Sequence, residues 1–81
     1  NHLGGTDFDR AMAEYFCFKN GLNYNVLDLS FQQSILRACE QAKIKLSTQS
    51  VVEVSLAHLN KNYNCIFDEN VLYYTFLTRI L

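Results

Sequence analysis

A chain of 81 residues is enough for one small domain and no more. With 49% hydrophobic and 14% aromatic residues it has the material for a packed core, which argues against a disordered segment. Seven basic and eight acidic residues leave a net charge of -1, and the basic ones are scattered. That speaks against binding a phosphate backbone, and no apolar run approaches the roughly 20 residues needed to span a bilayer.

The first predicted helix runs from about Asp7 to Asn20. Thr6 is expected at its N-cap, and Asp7 and Asp9 place negative charge at the positive end of the helix dipole. Phe8, Met12, Tyr15 and Phe16 recur at helical spacing as an apolar face, and Gly21 suits the left-handed position that ends a helix. A connector, Leu22 to Leu29, leads to a second helix. Ser30 with Gln33 three residues on reads as a capping box, and the helix should continue to about Ser47. Phe31, Ile35, Ala38, Cys39, Ala42 and Leu46 form its core-facing stripe.

The period then changes to two. Val52, Val54 and Leu56 alternate with Glu53 and Ser55, as in a half-buried strand. Asn60-Lys61-Asn62 is expected as the turn, with Tyr63 to Phe67 returning as the second strand. Asp68 suits the N-cap of a third helix, about Glu69 to Leu81, with Val71, Leu72, Phe76, Ile80 and Leu81 mostly apolar. The order α, α, β, β, α gives an α+β class. A lone hairpin is unstable in water, so helices must cover one of its faces.

Few residues announce chemistry. Cys17, Cys39 and Cys65 are widely spaced among apolar neighbours, unlike a zinc site or a disulfide framework, and read as core thiols. His2 and His58 have no ligand cluster around them. Leu3-Gly4-Gly5-Thr6 could approach an anion, although a tight strand-to-helix turn explains the glycines as well. The second helix is more informative. At about 100° per residue, Glu40, Lys43, Ile44 and Ser47 share an arc of about 100° opposite the apolar stripe. An acceptor, a cation, an aliphatic platform and a hydroxyl within two turns suit a nucleoside. Periodicity alone favours an ordinary solvated face carrying a Glu40–Lys43 pair.

Two stretches carry a resemblance. Leu3-Gly4-Gly5-Thr6-Asp7-Phe8-Asp9 resembles the L-G-G-x-D-F-D segment of DnaK-type 70-kDa heat-shock chaperones. Ala38-Cys39-Glu40-Gln41-Ala42-Lys43-Ile44-Lys45-Leu46-Ser47 resembles that family's A-x-E-x-A-K-x-x-L-S helix, in the right order and at about the right separation. The resemblance implies that the whole chain, residues 1–81, is a single subdomain, the IIB part of a nucleotide-binding domain of actin-like fold, excised from a longer protein. It implies ATP or ADP as cofactor, with Glu40 and Lys43 reaching the ribose, Ile44 packing on the adenine and Ser47 bonding to it. Asp7 and Asp9 match positions that look structural. Catalytic and magnesium-linked groups belong to other parts of the parent, so this segment alone is expected to be non-catalytic and to hold no metal.

The parent would bind unfolded polypeptides and work with a J-domain co-chaperone and a nucleotide-exchange factor, in the cytoplasm or an organellar matrix. Neither nucleic acid nor a membrane is expected as a partner. Departures from the family pattern are Thr6, which replaces the usual acidic residue, and the divergent Leu22–Leu29 connector. The hairpin is shorter than that of bacterial DnaK, which leaves open a member specialised for iron–sulfur assembly. Two other readings stand beside the nucleotide one: a lever gripped by exchange factors or co-chaperones, and a small α+β adaptor.

Overall fold

The computed structural model describes residues 6–80, and the side chains of residues 8–75 within them. The elements are helix α1 (Thr6–Lys19), a single 3-10 turn (Tyr24–Val26), helix α2 (Leu29–Lys45), strands β1 (Val51–His58) and β2 (Lys61–Asp68), and helix α3 (Glu69–Ile80). The α+β class expected from the sequence is what the chain adopts. The side chain of Thr6, expected as a cap, and the Gly4-Gly5 turn lie outside the described residues.

α1 ends where Gly21 was expected to end it. Gly21 has φ +70. Its N–H bonds to the Phe18 carbonyl at 3.3 Å, and the Leu22 N–H to the Cys17 carbonyl at 2.8 Å. This pair of bonds is a Schellman motif, which satisfies carbonyls the helix leaves open. Asn20 then ties α1 to the sheet, its Nδ2 donating to the Phe16 carbonyl at 2.9 Å and to the Asn64 carbonyl at 3.0 Å.

α2 starts earlier than its capping-box pattern suggested. Asp28, not Ser30, is the N-cap and accepts from the Phe31 N–H at 2.9 Å. Ser30 lies within the first turn and donates its hydroxyl to Asp28 Oδ1 at 3.1 Å. A carboxylate is the stronger acceptor and adds a favourable charge at the dipole's positive end, so it takes the cap over a hydroxyl two residues on. The helix also stops short of Ser47. Lys45 is its last residue, and Ser47, Thr48 and Gln49 follow in turns that bond back to Ile44 and Lys45.

The strands pair antiparallel, with Val52 opposite Phe67, Val54 opposite Cys65 and Leu56 opposite Tyr63 on the core face. The turn is Leu59-Asn60, tighter and earlier than Asn60-Lys61-Asn62. Both residues have positive φ, 51 and 66, as a two-residue type I′ turn requires. Asn adopts that region readily, whereas Leu does so under strain. The misplacement has a physical cause: turn composition points to the asparagines, and nothing marks a leucine for a left-handed position.

The core lies between the helices and one face of the hairpin. Met12, Ala13, Phe16 and Cys17 of α1 meet Phe31, Ile35, Cys39 and Ala42 of α2 and Val52, Val54, Cys65 and Phe67 of the strands. Of the predicted stripes Met12, Phe16, Phe31, Ile35, Cys39 and Ala42 are buried, and Phe8, Tyr15, Ala38 and Leu46 pack half-buried against them. α3 is capped as expected, Asp68 Oδ1 accepting from the Val71 N–H at 2.9 Å. Its Val71 and Leu72 pack against the core, while Phe76, Ile80 and Leu81 lie outside the described side chains.

Candidate functional site

Burying Phe31, Ile35, Cys39 and Ala42 turns the opposite side of α2 outward. Glu40, Lys43 and Ile44 stand on that side. Glu40 is exposed, Ile44 is 55% exposed, and Lys43 is partly covered. Ile44 is the penultimate residue of α2, and the exposed half of its side chain offers a platform for an apolar ring. Ser47 is exposed in the turn after the helix, and its hydroxyl donates to the Ile44 carbonyl at 2.7 Å. That bond fixes the donor and leaves the oxygen's lone pairs for a base N–H. Ser47 is thus held by a turn, and Glu40, Lys43 and Ile44 by the helix.

One relationship departs from the sequence reading. The carboxylate partner of Lys43 is Asp9 of α1, not Glu40. Lys43 Nζ lies 2.8 Å from Asp9 Oδ1, with side-chain exposures of 25% and 13%. The contact is ionic: Asp9 Oδ1 is enclosed and receives no aligned hydrogen bond. Asp9 and Glu40 also border one cleft of about 330 Å³, together with Gln33, Leu36 and Arg37. The cleft is open, with an aliphatic wall, two carboxylates and a guanidinium. From the sequence Asp9 has a structural place and Gln33 a capping-box role, and Arg37 carries no expectation. The four- and three-residue steps of 33, 37 and 40 on the Glu40 side were the available signal. A smaller groove of about 160 Å³ lies between α2 and β1, lined in part by Gln41, Lys45, Glu53 and Ser55.

The remaining candidates resolve as structure. Cys17, Cys39 and Cys65 are buried and unpaired by disulfides. Burial pushes the Cys17 and Cys65 thiols up to about 11, and raises Cys39 as well. They are protonated at neutral pH and poor nucleophiles. His58 stacks face to face on Phe31, ring centroids 4.0 Å apart, and its Nε2 is 3.5 Å from Asp28 Oδ2. The Phe31 N–H, the Ser30 hydroxyl and His58 hold the Asp28 carboxyl below the usual carboxylate range. Arg10 bridges Glu14 and Asn25 and lies over the Tyr24 ring, pinning the connector against α1. His2 lies outside the described residues. Among the described residues no three His, Cys, Asp or Glu side chains come together as a metal site.

A family model described as "Hsp70 protein" matches residues 1–79. Over 60 residues the chain is 43% identical to chaperone protein DnaK of Thermotoga petrophila, a match covering 69% of this chain and 10% of that protein. It is 36% identical over 52 residues to chaperone protein HscA of Buchnera aphidicola, covering 64% and 10%. It is 37% identical over 62 residues to chaperone protein dnaK of Cyanophora paradoxa, covering 73% and 10%. The chain spans about a tenth of the length of these relatives.

Proposed function

The chain belongs to the Hsp70 family, and we propose on that premise that it forms one wall of an adenosine site in a longer, ATP-dependent chaperone. The supporting observation is the outward face of α2 with its following turn. It carries an exposed carboxylate, a braced ammonium, an exposed aliphatic side chain and a hydroxyl with a free acceptor side. In this reading Glu40 accepts from ribose hydroxyls, Lys43 donates to them, Ile44 packs on the adenine face and Ser47 bonds to the base. The chain is then a subdomain of an actin-like nucleotide-binding domain. Phosphate and magnesium are held by the remainder of the parent, and hydrolysis depends on it. Unfolded polypeptides, a J-domain co-chaperone and a nucleotide-exchange factor are the parent's proposed partners, in the cytoplasm or an organellar matrix.

A one-sided contact of this kind binds weakly. Titrating the isotope-labelled 81-residue chain with ADP should shift the amides around Glu40, Lys43, Ile44 and Ser47 only at millimolar nucleotide. Saturation at micromolar ADP, or shifts centred on the hairpin, would contradict the one-wall reading.

A second reading is favoured by a specific observation at the hairpin tip. Leu59 is 81% exposed and held at φ 51, a strained apolar residue presented to solvent. Val51 and Ile66 are exposed on the sheet's outer face as well. In this reading the subdomain is a lever contacted by an exchange factor or co-chaperone. Leu59→Asn should weaken such a contact while relieving turn strain; unchanged partner affinity would remove the tip from the interface.

A further inference from the structure

The lysine of the proposed adenosine face is anchored on another helix. Lysine carries a flexible four-carbon stem, and on an open helix surface its ammonium samples many positions. Lys43 is constrained at its far end: Nζ is 2.8 Å from Asp9 Oδ1, and only 13% of the Asp9 side chain is exposed. Asp9 is fixed in turn by its place in the first turn of α1, where its charge also faces the positive end of the helix dipole.

An ammonium has three N–H donors. Asp9 engages it from one side, so donors remain for a ligand oxygen on the other. Asp9 also borders the same cleft as Glu40. The carboxylate of one helix therefore holds the cation of the next beside the acceptor that shares its face. A vicinal diol suits this arrangement, since its hydroxyls can donate to the carboxylate and accept from the ammonium.

We infer that Asp9 is a positioning residue for ribose recognition, aiming Lys43 at the nucleotide without touching the nucleotide itself. The inference rests on the adenosine reading above. It assigns Asp9 a second task beyond stabilising the start of α1.

The test is made in the full-length protein, comparing dissociation constants for ADP and 2′,3′-dideoxy-ADP. The wild type should prefer ADP, and Lys43→Met should lower that preference about tenfold, as expected for losing a hydrogen bond to a charged group. Asp9→Asn keeps the size and loses the charge, and it should lower the preference by several-fold. It should have little further effect in the Lys43→Met background, because the two residues act as one unit. Asp9→Glu should restore part of the preference. A purely structural Asp9 would weaken both nucleotides equally and leave their ratio at the wild-type value; that outcome, with Lys43→Met still effective, overturns the inference alone. If Lys43→Met also leaves the ratio unchanged, the adenosine reading fails and the inference falls with it.

Discussion

Lys43 of α2 and Asp9 of α1 form a 2.8 Å ion pair that joins the two helices beside the proposed nucleotide face. The pair changes how that face is understood. A solvated helix surface would leave Lys43 to a near neighbour such as Glu40, at a gain of a few tenths of a kcal/mol. Here the cation is committed to another element and Glu40 is left exposed, so acceptor and donor stand apart.

Backbone geometry gives the first prediction. Gly21 sits at φ +70, and a methyl group there would meet nothing within 4 Å. The cost of Gly21→Ala is therefore conformational, about 1 kcal/mol, and Gly21→Asn should cost less. Urea unfolding followed by circular dichroism should show the midpoint ordered wild type, Asn, Ala. Equal midpoints would mean that the Schellman end of α1 does not limit stability.

The second prediction concerns the tip of the hairpin. Leu59 occupies a left-handed position at φ 51 and is 81% exposed, so it contributes strain and little packing. Leu59→Asn should stabilise the fold by about 0.5–1 kcal/mol, since Asn tolerates this region. A lowered thermal midpoint in the variant would contradict the turn assignment.

Acid stability should depend on Asp28. Its carboxyl is held below the ordinary value of 3.8 by the Phe31 N–H first, then by Ser30 and His58. A depressed carboxylate stabilises the folded state in full above its unfolded value, and that contribution is lost as pH falls through the lower folded value. Asp28→Ala should therefore be less stable than wild type at pH 7, and the gap should narrow as pH falls below 3.8. A gap that persists undiminished into strong acid would show that the cap does not act through its charge.

The buried thiols predict the opposite slope. Cys17 and Cys65 are raised from 9.0 to about 11, chiefly by burial. Their neutral form is favoured in the fold, so stability is complete below pH 9 and declines as pH rises toward 11. At pH 7.5 an alkylating reagent should label all three cysteines only in denaturant. Rapid labelling of native protein would place a thiol at the surface.

Elements and core were legible because each is written locally. The stripes of α1 and α2, the alternation of Val52 and Val54, and the caps Gly21 and Asp68 need only short-range patterns, and the structure uses them all. The misses are of another kind. Asp28 displaced Ser30 because two plausible caps lay within two residues and the stronger acceptor prevailed. The turn fell on Leu59 because strand register, set by Val52–Phe67 and Val54–Cys65 packing, overrode residue preference. The short 3-10 turn has no periodic signal, and Arg10 and Asn25 hold the connector in place through contacts between separate elements. The same limit hid the Asp9–Lys43 pair. Periodicity could place Glu40, Lys43, Ile44 and Ser47 on a face, whereas the partner that orients one of them comes from another helix.

The central claim is that the outward face of α2 holds adenosine, and release of nucleotide from the full-length protein tests it most directly. Stopped-flow dissociation of a fluorescent ADP should be at least about tenfold faster for Glu40→Ala and for Lys43→Ala, as expected when a hydrogen bond involving a charged group is lost. Asn62→Ala, on the exposed side of β2, should leave the rate unchanged. Wild-type release rates in both α2 variants would contradict the account and take these residues out of the site.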